Sequence, residues 1–125
     1  MHPRKYQAVT EMVAQDRYLY FVRKVCDFEV VWSLHGDGWA TGQMDGKTVI
    51  PLWPESEFAK GCATDAWAGY SAKKIVLKDF LNRWLPGAES DGCQFAVFPT
   101  VNSKAVAVES AKLGEDLREE LSSYE

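Results

Sequence analysis

Trp32 to Trp53 is the segment that most narrows what this chain can fold into. It holds three of the five tryptophans, two glycine turns and the run Pro51-Leu52-Trp53-Pro54. Val30, Trp32 and Leu34 alternate with Val31 and Ser33, the period of a strand with one face toward a core. His35-Gly36-Asp37-Gly38 reads as a turn, because glycine supplies the positive φ that hairpin loops demand. Trp39 to Gln43 then reads as a return strand, Asp45-Gly46 as a tighter hairpin, and Thr48 to Trp53 as a third strand. Pro51 removes one ladder donor, which predicts an edge strand or a break there. Such a meander delivers rigid aromatic rings to a core or a shallow groove, and it does not read as an active site.

Around this meander the period is helical. After Pro3, the residues Tyr6, Val9, Thr10 and Val13 predict a short amphipathic helix. Asp16 is placed to cap a second, with Tyr18, Phe21, Val22 and Val25 inward and Arg17, Arg23 and Lys24 on its solvated face. Pro54 suits the first turn of a third helix, which buries Phe58, Ala59, Cys62 and Ala63. Lys73 to Leu77 predicts a strand. The helix after it carries Phe80, Leu81, Trp84 and Leu85 and is expected to stop at Pro86-Gly87. Phe95 to Pro99 and Ala105 to Val108 predict a hairpin around Asn102-Ser103. Ser110 is placed to cap the last helix, whose Leu113, Leu117 and Leu121 form a narrow seam. The expectation is an α+β fold, a mostly antiparallel sheet with helices packed against it.

At 125 residues the chain is expected to be one domain, 1–125, with a compact part of about 4–123. It is long enough to build a core without metal or disulfide. Its net charge of −4 argues against nucleic acid as a partner, which would call for a basic face. No signal peptide or membrane-spanning run is read, so no membrane is expected. Three cysteines, odd in number and widely spaced, fit a reducing cytoplasm better than an extracellular disulfide framework.

The chemistry-bearing residues are sparse. His35 sits in a glycine turn beside Asp37, where side chains usually meet water, so it reads as a solvated turn residue rather than a general base. Cys62 falls late in its helix, where the dipole opposes a thiolate, and reads with Cys26 and Cys93 as a small hydrophobe. Asp65, Asp79, Glu89 and Asp91 form no couple of fixed separation. Zinc-type spacing, the Walker loop and the dinucleotide fingerprint are absent, so no catalytic residue, metal site or cofactor is expected.

Two features remain. Trp39 and Trp67 are expected to be exposed, and with Trp53 and Tyr70 they are the candidate contacts for a ligand or partner. The chain end is acidic, with Glu109, Glu115, Asp116, Glu119, Glu120 and Glu125 against Lys112 and Arg118. Asp116, Glu119 and Glu120 are therefore the candidate acidic face.

The order and spacing of several segments also resemble a known family. They are Tyr20-Phe21-Val22-Arg23-Lys24-Val25, Val31-Trp32-Ser33-Leu34, Asp37-Gly38-Trp39, Pro51-Leu52-Trp53-Pro54 and Phe80 to Pro86. From about Tyr18 to Pro99 the chain is similar to the bacterial domain-of-unknown-function family numbered 2750. The resemblance implies a bacterial, single-domain, cytoplasmic protein, and it brings no activity, cofactor or site residue with it.

The favoured expectation is a non-catalytic protein-interaction or regulatory module with an unknown protein partner, in its pointed form an immunity-like protein that blocks that partner through the acidic face. The second is a small-ligand sensor with an aromatic pocket of Trp39, Trp53, Trp67 and Tyr70. The third is a small hydrolase or transferase using Cys62 or His35. The leucine seam leaves monomer and homodimer open, with docking on the chain's own sheet preferred.

Overall fold

The computed structural model describes residues 1–124. Helices α1 (Pro3–Thr10) and α2 (Ala14–Phe28) lead into strands β1 (Val30–His35), β2 (Gly42–Met44) and β3 (Lys47–Leu52). Helix α3 (Ser56–Gly61), a 3-10 turn (Asp65–Trp67) and β4 (Ser71–Val76) follow. A continuous helical stretch comes next: α4 (Leu77–Asp79), a π-helical turn (Phe80–Trp84) and α5 (Leu85–Asp91). The chain ends with β5 (Gln94–Val97), β6 (Val106–Val108) and α6 (Ser110–Ser122).

The fold is α+β, but its strands are not the expected meander. β1 pairs antiparallel with β4, Val30 opposite Val76, and the other strands form a sheet in the order β2-β3-β5-β6. In that sheet β3 and β5 run parallel, Leu52 opposite Val97, while the outer pairs are antiparallel. One backbone pair joins the two sheets: Trp32 and Trp53 exchange N–H···O bonds of 2.9 and 2.8 Å. The segment after Trp39 does not return along β1. Trp39 makes only an isolated bridge with His35, and the chain leaves to start β2.

Pro51 is in an interior strand rather than at an edge, and it is the alternative, a break in the ladder, that holds on one side. β2 stops opposite Val49, so the side on which Pro51 lacks a donor has no β2 residue beside it. Its carbonyl accepts instead from the Ser33 hydroxyl at 2.6 Å. The Asp45-Gly46 hairpin has both residues at positive φ (51° and 79°), the combination that matches strand twist in a two-residue turn.

Several helix ends differ from expectation. α2 is preceded by Val13 and α6 by Glu109, neither with a side-chain cap; Asp16 lies inside the first turn of α2, and the buried Ser110 opens α6. α3 starts two residues beyond Pro54. Pro86-Gly87 does not stop its helix. The π-turn shifts the hydrogen-bond register, Leu85 N–H reaching the Phe80 carbonyl, and Pro86 then occupies the opening turn of α5, where a missing donor is tolerated. Gly92 at φ 73° ends the stretch.

The core gathers Phe21 and Val25 of α2, Leu52, Trp53, Phe58, Phe80, Phe95, Phe98, and Leu113 and Leu117 of α6, all essentially inaccessible. Leu113 and Leu117 of the leucine seam are thus buried inside the chain, each worth about 2 kcal/mol of transfer free energy, while Leu121 is half-buried against the core.

Candidate functional site

The four candidate aromatics do not converge on one pocket. Trp53 is fully buried, its indole Nε1 donating to the Pro99 carbonyl at 2.9 Å. Trp67 meets it edge-on with ring centroids 6.0 Å apart and donates to the Thr41 carbonyl at 3.0 Å. Trp39 belongs to another cluster, 4.6 Å from Trp84 and 4.9 Å from His35, with Lys73 Nζ 5.3 Å above its ring. Tyr70 lies against the turn, so close to Gly36 that an added Cβ there would stand 2.9 Å from its ring. Trp39 and Trp67 are half-buried rather than exposed, because each ring packs on a neighbouring tryptophan.

Of these residues Trp67 lines two surface clefts, which flank the loop from Pro99 to Ser103. The loop opens on Phe98, whose φ of 59° is a strained conformation for a bulky side chain. Its surroundings hold it there. Phe98 N–H donates to Leu52 at 2.8 Å, and its carbonyl accepts from Arg17 Nε at 3.0 Å.

Arg17 is a further residue that sequence reasoning misplaced. It is 1 % exposed, not part of a solvated face. Nη1 donates to Met12 O at 2.6 Å, and Nη2 to Lys104 O at 2.9 Å and Ser103 Oγ at 3.1 Å. Its charge is met by carbonyl dipoles and one hydroxyl. Burial pulls its pKa below the usual value, and the guanidinium remains a cation. It fastens the loop to the start of α2.

Cys62 lies beside this loop, its Sγ donating to Pro99 O at 3.3 Å. Burial, opposed by the Trp53 hydrogen bond and the Arg17 charge, pushes the thiol up to about 11, so it is protonated at neutral pH and a poor nucleophile. His35 packs its ring on Trp39, and no hydrogen bond ties it to Asp37 among the described residues.

The candidate acidic residues do share a feature. Asp116, Glu119 and Glu120 line a groove of about 640 Å³ between α2 and α6, with all three residues of β6 on its wall. Asp116 is engaged: it accepts from the Tyr18 hydroxyl and pairs with Lys112 Nζ at 3.0 Å. Burial, with that hydrogen bond and the carboxylate charge, pushes the Tyr18 phenol well above its ordinary value. Glu119 and Glu120 make no ion pair among the described residues. The opposite rim carries Leu19, 54 % exposed.

The molecule is thus an α+β protein with a mixed sheet, a clamped loop and an acid-walled groove. Residues 18–117 match the model of the family described as a protein of unknown function, DUF2750, and the chain belongs to that family. No curated protein and no solved structure matches it. The matched span runs from α2 into α6 and so includes Tyr18, Asp116 and the β6 wall of the groove.

Proposed function

We propose that the protein is a non-catalytic interaction module that works in a reducing cytoplasm and takes its partner on the groove between α2, β6 and α6. The observation that carries this reading is the juxtaposition of two carboxylates in no ion pair among the described residues, Glu119 and Glu120, with the exposed Leu19 across an open groove. A surface with an apolar contact and a charged rim suits recognition, the apolar part giving affinity and the charge giving choice of partner. An immunity-like role, in which this face covers the working surface of a basic partner, is the pointed form of the reading. The three free thiols support the compartment.

The test is site-specific photocrosslinking in lysate of the native host, with the crosslinker at Leu19 and, as control, at Lys74 on the exposed side of β4. The expected result is one discrete adduct from position 19 alone, lost when Glu119→Lys and Glu120→Lys are introduced. Adducts that form equally from both positions, or that survive charge reversal, would overturn the reading.

A further inference from the structure

We infer that the groove takes an extended, basic segment of the partner, added as a further strand on the outer edge of β6. This rests on the groove being the contact surface and names what fills it. β6 is the last strand of its sheet, so one side of it has no strand neighbour. The ladder decides which groups that side offers. Phe98 N–H points to Leu52 on β3, so along β5 the even positions face β3 and Phe95 and Val97 face β6. Their partners Val108 and Val106 therefore turn inward, and Ala107 presents its N–H and C=O outward.

Edge strands are usually guarded by lysine, proline or a bulge, because their free groups template another strand. Val106-Ala107-Val108 has none of these. What stands beside it is the α6 wall, where Lys112 pairs with Asp116, and Glu119 and Glu120 are in no ion pair among the described residues, leaving the wall with an excess of negative charge. A second copy of this chain adding at β6 would bring two such walls together and be repelled. A strand with lysines on one face and small apolar side chains on the other meets carboxylates on one side and Leu19 and Val22 on the other. Charge complementarity thus selects a basic strand over self-association.

The probe is a fluorescent ten-residue peptide alternating lysine and valine, titrated into the full chain, with backbone amide exchange followed by NMR. The expected result is saturable binding that slows exchange of the Ala107 amide at least tenfold and leaves the β4 amides unchanged. Replacing the peptide's lysines by glutamates, or introducing E119Q with E120Q, should weaken binding at least tenfold with the urea midpoint of the variant unaltered. Binding that leaves Ala107 exchange unchanged would overturn strand addition while leaving the groove as the contact surface. Failure of the lysine-valine peptide to bind would overturn the basic-strand inference, and the Leu19 crosslink separately decides whether the groove is a contact surface at all.

Discussion

The Nε of Arg17 donates to the carbonyl of Phe98 at 3.0 Å across 81 positions of sequence, tying the first turn of α2 to the one strained residue at the end of β5. Truncation at Arg17 strands the carbonyls of Phe98, Met12 and Lys104 in a buried site. Arg17→Met should therefore cost about 2–4 kcal/mol, the range for removing one member of a buried charged network. Arg17→Lys should recover little, since one ammonium cannot replace a planar fork that reaches several acceptors. Urea denaturation of both variants measures this, and a loss below about 1 kcal/mol for Arg17→Met would show that the clamp adds little to stability.

The thiols should divide by burial. Cys26 and Cys62 are 2 % and 7 % exposed, while Cys93 is half-buried. At pH 7.5, a disulfide reagent should modify one thiol per native chain promptly, and mass mapping should place it at Cys93. The other two should react only at the rate of global opening. Fast reaction at Cys62 would revive the nucleophile reading that its protonated state opposes.

Burial also makes those two thiols pH-sensitive elements of stability. Burial pushes Cys62 up to about 11; Cys26 reaches about 11 through burial and the nearby charges of Glu120 and Asp27. In the unfolded chain both release protons near 9, so above that pH the unfolded state binds fewer protons than the native one. Stability is then present in full below pH 9 and falls as pH rises toward 11, by about 1 kcal/mol per thiol at pH 10. Comparing the melting temperature from pH 8 to 10.5 in the parent and in a Cys26→Ala, Cys62→Ala variant isolates the effect. The variant should show the shallower decline, and equal slopes would refute it.

How much of this was legible in the sequence depends on whether the signal was local. The α+β class, the positions of α1 and α2 and the Asp45-Gly46 hairpin follow from period and turn chemistry, which act over a few residues. Strand partners do not. β1 pairs with β4 some forty positions on, and β3 lies parallel to β5, because burial of Trp53 and Phe95 rather than chain proximity chooses neighbours. The Arg17 misplacement had a readable cue: positions 17, 21 and 25 share one helical stripe with Phe21 and Val25. Its charge concealed it, since two of its three compensating carbonyls, those of Phe98 and Lys104, come from a loop more than eighty residues away. The aromatic pocket failed for the converse reason. Trp39 packs on Trp84 while Trp53 and Trp67 pair with each other, and composition alone could not say which rings would meet.

Gly61, the last residue of α3, leaves room for the hydroxyl of Tyr6 on α1. An added Cβ would overlap that hydroxyl and crowd the ring, which is itself stacked on Phe58 at 5.3 Å. Gly61→Ala should thus cost about 1–2 kcal/mol despite the better helix propensity of alanine. The hydroxyl of Tyr6 makes no hydrogen bond among the described residues, so Tyr6→Phe alone should be nearly neutral. In the Tyr6→Phe background the cost of Gly61→Ala should fall by half or more. A double-mutant cycle in urea reads the coupling directly, and additivity would place the crowding elsewhere.

The three acidic residues of the α6 wall should separate into one structural and two free members. Asp116 accepts from the Tyr18 hydroxyl of α2 and pairs with Lys112, so its carboxylate joins two helices. Glu119 and Glu120 hold nothing with their side chains among the described residues, and substitution leaves no buried group unpaired. Asp116→Ala should therefore lower stability by about 1–2 kcal/mol, whereas Glu119→Gln with Glu120→Gln should change it by less than about 0.5 kcal/mol. Binding should follow the opposite order, because Asp116 is already satisfied within the chain and the two glutamates have their charge to give. Parallel urea titrations and peptide-binding isotherms on the same variants check both orders. A glutamate pair that costs stability as Asp116 does would mean that the whole wall serves the α2–α6 contact, leaving no uncommitted charge for a partner.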